Sequence, residues 1–555
     1  MPNFYNIQEF YGIQQHKDGS LLPTGTACDA RNVDTSDGNL RLAKGFEKHI
    51  SFAVGGTDKI LKLIPARTSA GTVFYVVTAD KIYVQDTSTW TAVYTFTVPA
   101  VAQVDYLQTK IGTDDYLIVA TGKQQMVKIK LANHTASLFG TGSTTFTGTV
   151  SSYDAGTLSV TLSDELSDDA LRHALSDGIS INNYLHAVAS ASNTGGAGVV
   201  VLKDEPATAP EASDTVSIRG GGSTASCNYI DMYYSRLFSA GDPNAPSRLY
   251  WSAVAGNGRT IEDWLSVEGS VDASGGYVEV GDSDGDSILG FCVLSSSMLI
   301  FKQHSIWRLY GNRPSSYTLE RVENTAETMS NASVIIKYDS PQWLTKDGIM
   351  YYDGTGVIPM NGGQKFLRNF VESIVSVSNS KGCYADNKLY YTCKVKNDST
   401  YDDSIICYDI ARQSFMIRDG FEVADIVADD GDLYIINGNR YVYKFLSGYT
   451  YDGNPINAYW NTQPTDLLQK YAKKQIKEIL FRGKTGRIFF TIRDGAAKSY
   501  VRKDLFADND GFVSVPSNTD LARVFEILIQ NEQGSYFEIT GGMDIIFEKE
   551  YRAKS

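Results

Sequence analysis

Short apolar runs separated by small polar residues characterise residues 288–312. Two apolar segments, 291–294 and 298–301, flank a serine turn, and a third follows at 305–310. β-Branched and aromatic residues bounded by turn-forming ones suit a pleated, half-buried surface. The pattern therefore predicts an antiparallel meander of short strands.

The last hairpin of this meander recurs along the chain. Corresponding anchor positions are Phe74, Tyr116, Leu237, Met298, Pro341, Lys388 and Leu433, at intervals of 42, 121, 61, 43, 47 and 45 residues. Four of the six intervals fall in a narrow band, and a period of this length with one all-β meander per repeat is typical of propeller blades. The alternative is a β-sandwich, whose turns show no longer period. We predict an all-β fold, a β-propeller of about seven blades.

The long interval predicts an insertion at residues 140–222, because it exceeds one repeat by about the length of that stretch. Glycine- and serine-rich borders flank short β segments and one predicted helix at 164–175. Ser163 is the expected N-cap, Gly178 follows the helix end, and the expected apolar face consists of Leu166, Ala170, Leu171, Ala174 and Leu175. We interpret the insertion as a small β domain with one helix.

Beyond residue 450 the spacing changes, and alternating strands are predicted at 476–481, 487–492, 524–529 and 536–547. They indicate a C-terminal β-sandwich. The expected organisation is an N-terminal arm with the first blades (1–139), the inserted domain (140–222), the remaining blades (223–450) and the sandwich (451–555). The irregular segment 3–49 is expected to lie across the propeller or to complete one blade.

The charge balance argues against a groove that grips nucleic acid. The formal net charge is −14 and no long run of lysine or arginine occurs, whereas tight phosphate binding needs clustered cations. An acidic surface can still let nucleic acid slide past without sticking.

The six cysteines, Cys28, Cys227, Cys292, Cys383, Cys393 and Cys407, form no CxxC pair. They are expected to be small core residues of a protein made in a reducing compartment, with a Cys393–Cys407 disulfide as the alternative. The start lacks a secretory pattern and no apolar stretch reaches membrane-spanning length. We expect a soluble protein assembled in the cytoplasm.

Candidate chemistry is sparse. The acidic stretch 282–286 has Ser287 and Val293 where a calcium loop needs glycine and glutamate, so a solvated turn is expected. His304 is expected in an exposed turn. Asp353, Asp386 and Asp432 are the carboxylates that a propeller glycosidase could use, but no spacing rule selects them. We expect no enzymatic activity, no catalytic residues, no cofactor and no metal.

Three groups of residues resemble a family. They are Ala30-Arg31-Asn32-Val33 with Gly38-Asn39-Leu40-Arg41 and Gly45-Phe46; Asp284-Gly285-Asp286 with Ile288, Leu299 to Lys302 and Ser305 to Leu309; and Phe537 to Gly542 with Ile545. They are similar to motifs of tailed-phage propeller proteins, the group of tail nozzle and packaged-DNA stabilisation (portal plug) proteins. The resemblance covers about three quarters of the chain, without the insertion.

The resemblance implies a virion tail protein without catalysis, present as a homohexamer below the portal and adaptor. Its expected partners are copies of itself, portal and adaptor proteins, tail fibres and genomic DNA in transient, non-specific passage. The main hypothesis is therefore a nozzle subunit that retains packaged DNA and conducts it at ejection. The alternatives are a propeller that binds the host surface or a glycan, and, third, a propeller hydrolase.

Overall fold

The computed structural model describes most of the chain. The described residues are 3–14, 23–99, 103–140, 144–182, 184–186, 188–203, 205–206, 208–219, 226–255, 260–264, 271–281, 285–323, 329–360, 374–397, 400–495, 498–502, 505, 510–532 and 534–550. Part of the predicted acidic turn, 282–284, and much of the glycine-rich borders of the insertion lie outside them. The chain divides into two compact units, one of Met1–Pro65, Asp86–Trp90 and Glu327–Ser555, the other of Ala66–Gln85 and Thr91–Ala326.

The fold is all-β, a β-propeller with an inserted small β domain and a C-terminal β-sandwich. Five short strands open the chain: β1 (Asn3–Ile7), β2 (Ala27–Arg31), β3 (Val33–Asp34), β4 (Leu40–Leu42) and β5 (Phe46–Lys48). The next eight form two four-stranded antiparallel sheets: β6 (Ile60–Thr68), β7 (Gly71–Thr78), β8 (Lys81–Gln85) and β9 (Trp90–Thr95), then β10 (Asp105–Ile111), β11 (Asp114–Ala120), β12 (Val127–Lys130) and β13 (Ala136–Leu138).

The insertion forms one sheet with its own core. Its elements are β14 (Thr144–Asp154), β15 (Ser159–Leu162), α1 (Asp168–Asp177), β16 (Ile179–Ile181), β17 (Tyr184–His186), β18 (Val188–Thr194), β19 (Ala197–Leu202) and β20 (Thr215–Arg219). The strand order is β17-β16-β20-β14-β15-β19-β18. Val160, Leu162, Val200 and Ile218 belong to a buried cluster that does not include residues of the blades.

The predicted start of the helix and its cap were wrong. Helix α1 begins four residues later than expected, and Ser167 caps it by accepting a hydrogen bond from the Ala170 amide. Ser163 instead accepts one from the Thr149 amide, which keeps it in the strand connection. Leu175, predicted for the apolar face, is 49% exposed.

Two further four-stranded sheets follow the insertion. They consist of β21 (Tyr229–Tyr233), β22 (Arg236–Asp242), β23 (Ala245–Trp251) and β24 (Gly276–Glu279), then β25 (Ile288–Val293), β26 (Ser297–Lys302), β27 (Ile306–Tyr310) and β28 (Thr318–Glu323). The second sheet contains the meander predicted from residues 288–312. Every residue of β26 is buried, as expected for a central strand covered on both faces.

The remaining blades lie in the compact unit that contains Glu327–Ser555. Their strands are β29 (Ile335–Lys337), β30 (Ser340–Thr345), β31 (Gly348–Tyr352), β32 (Val357–Pro359), β33 (Ile374–Ser376), β34 (Gly382–Ala385), β35 (Lys388–Asn397), β36 (Thr400–Asp409), β37 (Ser414–Arg418), β38 (Asp425–Asp429), β39 (Asp432–Ile436), β40 (Val442–Phe445), β41 (Thr450–Tyr451) and β42 (Asn454–Pro455). Strand β5 pairs with β40 and supplies the fourth strand of the β38–β40 sheet, so the N-terminal segment completes a blade.

The sandwich has two sheets that include N-terminal strands. Its own strands are β43 (Tyr459–Thr462), β44 (Lys474–Thr485), β45 (Ile488–Asp494), β46 (Ser499–Arg502), β47 (Phe512–Pro516), β48 (Phe525–Asn531) and β49 (Phe537–Lys549). One sheet has the order β3-β4-β49-β44-β47, with β1 also on β49. The other runs β2-β43-β48-β45-β46 and continues through β2 into the β33–β37 blade.

All six cysteines are free; five are buried and Cys28 is half-buried. Cys393 lies opposite Ser404 and Cys407 opposite Tyr390, so the Cys393–Cys407 disulfide that the sequence left open does not form. Within the part of the chain that the structure describes, we find no helix with the length and apolar character needed to span a membrane.

Candidate functional site: the junction of the two chain ends

The residues considered for chemistry occupy separate turns. Asp286 holds its turn by accepting hydrogen bonds from the His304 amide (3.1 Å) and the Ser305 hydroxyl (3.2 Å), and His304 is largely exposed. Asp353 accepts from the Thr355 and Gly356 amides (2.8 and 2.9 Å), and these bonds lower its pKa. Each side chain therefore has a local structural role.

Of the other two carboxylates, one lies in a hairpin turn and one begins a strand. Asp386 is in the turn between β34 and β35 with φ of 48°, and Asp432 forms an ion pair with Lys444 (2.6 Å). Among the described residues, no group of three or more histidine, cysteine, aspartate or glutamate side chains is placed to hold a metal ion.

A cavity of about 460 Å³ lies in the unit made of Met1–Pro65, Asp86–Trp90 and Glu327–Ser555. Its charged lining residues are Asp58, Lys59, Lys394, Asp403, Glu422 and Arg440. Lys394 lies 3.4 Å from Asp403, and Arg440 donates to the carbonyls of Val54 (2.8 Å), Gly55 and Asp58. The lining is thus balanced in charge, and Arg440 holds neighbouring backbone in place.

The first and third groups of residues singled out in the sequence meet in one place, which we call the junction. It consists of 30–33, 38–41, 45–46 and 537–542 with the residues they contact. At its centre lies Asn32, buried and in the left-handed region with φ of 54°. Asparagine tolerates this region better than most residues, because its short polar side chain bonds locally.

The Asn32 side chain makes four hydrogen bonds to three segments. Its amide group donates to Asp419 Oδ1 and to the Asn457 carbonyl, both at 2.8 Å. Its oxygen accepts from the Asp419 amide (3.0 Å) and the Tyr451 hydroxyl (2.9 Å). Its neighbour Arg31 forms an ion pair with the same Asp419 at 2.9 Å. This pair of residues therefore joins the end of β37 to the entry of the sandwich.

A second part of the junction joins β4 to β49. Leu40 lies opposite Ile539, and the Gly541 amide donates to the Asn39 side chain at 3.3 Å. Arg41 bridges Asp34 (3.0 Å) and Asp37 (2.8 Å) and lies 3.8 Å from Glu538. The backbones approach so closely that a Cβ on Gly542 would lie 1.8 Å from the Ile7 carbonyl oxygen. Only glycine fits there, and its φ of 82° is also one that glycine adopts freely.

Asp34 is the carboxylate most strongly held in the junction. Burial alone would raise its pKa, but the charges of Arg418 and Lys388 and hydrogen bonds from Ser36 outweigh this and lower the pKa well below its ordinary value. The side chain is therefore charged at neutral pH and stabilises the contact between the N-terminal segment and the blade.

The third part of the junction surrounds Phe46. Its ring stacks on Tyr451 (5.0 Å between centroids) and makes edge contacts with Phe421 (5.3 Å) and Tyr443 (4.8 Å). Gly45 lets the chain reach this position, since a Cβ there would lie 1.9 Å from the Thr450 carbonyl oxygen. The aromatic cluster fixes β5 against the last blade.

The described part of the second group of residues, 285–309, lies outside the junction. Leu299 and Ile300 are buried within β26, and the buried Lys302 donates to the Val280 carbonyl at 2.6 Å. Sequence reasoning missed Asp419, Tyr451 and Asn457 as partners of Asn32, because they lie some 390 to 425 residues away and no local pattern marks them. What the junction can do is mechanical: it ties N-terminal strands to the last blade and to the sandwich.

The fold defines the chain as a β-propeller protein. No family model and no curated protein matches its sequence. Solved structures similar to it include BamB from Moraxella catarrhalis (9% identity, 76% of this chain and 97% of that one, TM-score 0.35) and the N-terminal domain of Nup159 (9%, 79% and 98%, 0.26). Another is the phage phi92 endosialidase (10%, 96% and 69%, 0.22). TM-scores this low support no statement about function.

Proposed function

We propose that this chain is a structural protein of a phage virion, a subunit of the tail nozzle. In this role it extends the channel below the portal and adaptor, retains packaged DNA and conducts it during ejection. Its partners are copies of itself in a hexamer, the portal and adaptor proteins and the tail fibres. Genomic DNA passes through without specific binding.

The observation that carries the proposal is the junction. Chain ends are normally where a fold frays. Here β1 and β4 pair with β49, and β5 pairs with β40, so these N-terminal strands lie within sheets formed by C-terminal strands. Two of the three groups of residues that resemble the phage proteins build this closure. A subunit that forms a wall around packaged DNA must resist unfolding from its terminal segments, and these strand pairings provide that resistance.

The charge supports the same role. A net charge of −14 repels phosphate, so DNA that passes such a subunit is not retained by clustered cations. Cyclic assemblies larger than dimers need heterologous contacts, in which two different surfaces of the subunit meet. A hexameric nozzle would be built in this way.

Quantitative mass spectrometry of purified particles tests the proposal. Isotope-labelled peptides of this chain, measured together with peptides of the portal and major capsid proteins, give its copy number in each particle. We expect six copies. Absence from particles, or one copy in each, would overturn the proposal.

One surface favours the alternative of glycan recognition. Tyr338 is 91% exposed in the tight turn between β29 and β30, and Lys337 lies over its ring (5.1 Å) and over that of Tyr384 (4.4 Å). Exposed aromatic faces beside a polar group suit the amphipathic face of a sugar ring.

A glycan array with the wild-type chain and Tyr338→Asn separates the two functions. Asparagine suits the positive φ of 50° at this position, so the variant loses the ring and keeps the turn. Binding that disappears in the variant would support glycan recognition. Absence of binding by the wild-type chain would refute it.

A further inference from the structure

The sandwich presents a rigid loop at residues 466–473. Both of its stems are fixed by paired backbone hydrogen bonds: Thr465 exchanges two with Phe525 (2.7 and 2.9 Å), and Lys474 exchanges two with Ala522 (2.7 and 2.9 Å). The fully buried Lys474 reaches back into the loop and donates to the carbonyls of Asp466 (2.7 Å) and Gln469 (2.9 Å). These two hydrogen bonds from the buried Lys474 side chain hold the loop backbone in place.

The loop backbone is strained and braced. Leu467 and Leu468 both have positive φ, 48° and 59°, a region that branched apolar residues avoid. The Thr465 hydroxyl accepts from the Leu467 amide (3.2 Å), and Asp466 Oδ1 accepts from the Leu468 amide (2.9 Å). Strain held in this way by surrounding bonds is typical of binding sites, where it fixes a conformation in advance.

The side chains at the tip are apolar and exposed. Leu468 is 76% exposed and Tyr471 is 86% exposed, while Leu467 is buried in the core. Burial explains the leucine at 467, but Leu468 is exposed, and asparagine or glycine would fit its backbone conformation better. A tyrosine and a leucine on a preorganised loop are suitable anchors for another surface.

The charge of the loop indicates which kind of surface it binds. Lys470 and Lys473 are exposed beside these anchors, in a chain whose net charge is −14. A second copy of this chain carries the same net negative charge, which attracts a basic loop. Contact between this basic loop and a different, acidic surface of another copy is heterologous, the kind that closes into rings.

We propose that the 466–473 loop docks onto an acidic surface of a second copy of this chain, with Leu468 and Tyr471 as the buried anchors. The proposal rests on the proposed function in one respect, because the contact it names would hold the hexameric ring together. The contact can also be tested on the purified chain alone.

The experiment is sedimentation velocity of the full chain over a range of concentrations, at low and high salt. Wild-type protein is expected to assemble, and salt to weaken the assembly. Leu468→Asn should raise the concentration at half-assembly roughly 10-fold or more, because one leucine is no longer buried. Its melting temperature should be unchanged or higher, since asparagine relieves the strain at φ of 59°.

Charge reversal and crosslinking complete the test. Lys470→Glu and Lys473→Glu, each made alone, should weaken assembly, whereas Lys346→Glu, at an exposed lysine in the turn between β30 and β31, changes the net charge equally and should not. In a mixture of isotopically light and heavy chains, a carbodiimide should link Lys470 or Lys473 to carboxylates of another copy. A wild-type chain that stays monomeric, or a Leu468→Asn variant that assembles like wild type, overturns the inference.

The two proposals fail separately. Six copies in each particle together with normal assembly of Leu468→Asn would remove the loop from the ring contact and leave the nozzle. Assembly through the loop by a chain that is absent from particles would keep the contact and remove the nozzle.

Discussion

Replacement of Asn32 by alanine tests whether the junction holds the blade and the sandwich together. The change removes four side-chain hydrogen bonds and leaves the Asn457 carbonyl and the Tyr451 hydroxyl without these partners. It also places alanine at φ of 54°. At about 1 kcal/mol for each bond and about 1 kcal/mol for the backbone, the expected loss is roughly 4 to 5 kcal/mol if the contributions add.

Hydrogen exchange followed by mass spectrometry is the appropriate assay, because a chain with two compact units does not unfold in one step. Peptides that contain β2, β37 and β43 should exchange faster, since Asn32 joins these strands. About 4 kcal/mol corresponds to a rate increase of roughly 10³-fold where local opening controls exchange. Peptides of the inserted domain, which has its own core, should be unaffected.

Two variants separate the contributions. Asn32→Gly removes the bonds and keeps the backbone unstrained, so it should lose about 1 kcal/mol less than alanine. Tyr451→Phe removes one bond and should lose about 1 kcal/mol. Unchanged exchange of the β37 and β43 peptides in Asn32→Ala would refute the reasoning, and wild-type behaviour of Asn32→Gly would show that the backbone alone matters.

Three further changes probe neighbouring contacts. Gly45→Ala places a Cβ 1.9 Å from the Thr450 carbonyl oxygen and should lower the melting temperature with a loss of about 2 kcal/mol or more, whereas Gly356→Ala, which faces open space, should not. Asp34→Asn should destabilise the chain at neutral pH. Because the folded pKa of Asp34 lies below 3.8, the difference in melting temperature from wild type should shrink as the pH falls below that value, and a pH-independent difference would contradict the assignment. Lys474→Met leaves the Asp466 and Gln469 carbonyls without their donor and should cost about 1 to 3 kcal/mol, measured as faster exchange of the 465–473 peptide; unchanged exchange would show that the lysine does not brace the loop.

Local patterns predicted the hairpins well. The apolar runs at 291–294 and 298–301 correspond to β25 and β26, because alternation and turn residues act over a few positions. The helix start was placed four residues early, since both Ser163 and Ser167 precede acidic residues and only the hydrogen bond to the Ala170 amide distinguishes them.

The sequence predicted that segment 3–49 could complete a blade, as β5 does on β40, but it did not specify the other long-range pairings. The sequence pattern of residues 3–7 predicted irregular structure, yet these residues form β1, which pairs with β49. Asn3 lies opposite Phe547, and no local signal specifies this register. The shared motifs marked Arg31, Asn32 and Gly45 without revealing what they contact. The exposure of Leu468 and the burial of Lys474 reverse the usual preferences of leucine and lysine, so composition could not identify the loop.

The most direct test of the account is hydrogen exchange on a truncated chain that begins at Lys48. It lacks β1 to β4 and most of β5. Loss of these strands exposes the edges of β40 and β49, so both peptides should lose protection and the chain should melt at a lower temperature than the full-length protein. If the truncated chain melts like the full chain, with both peptides still protected, its two ends are not interlocked and the account is wrong.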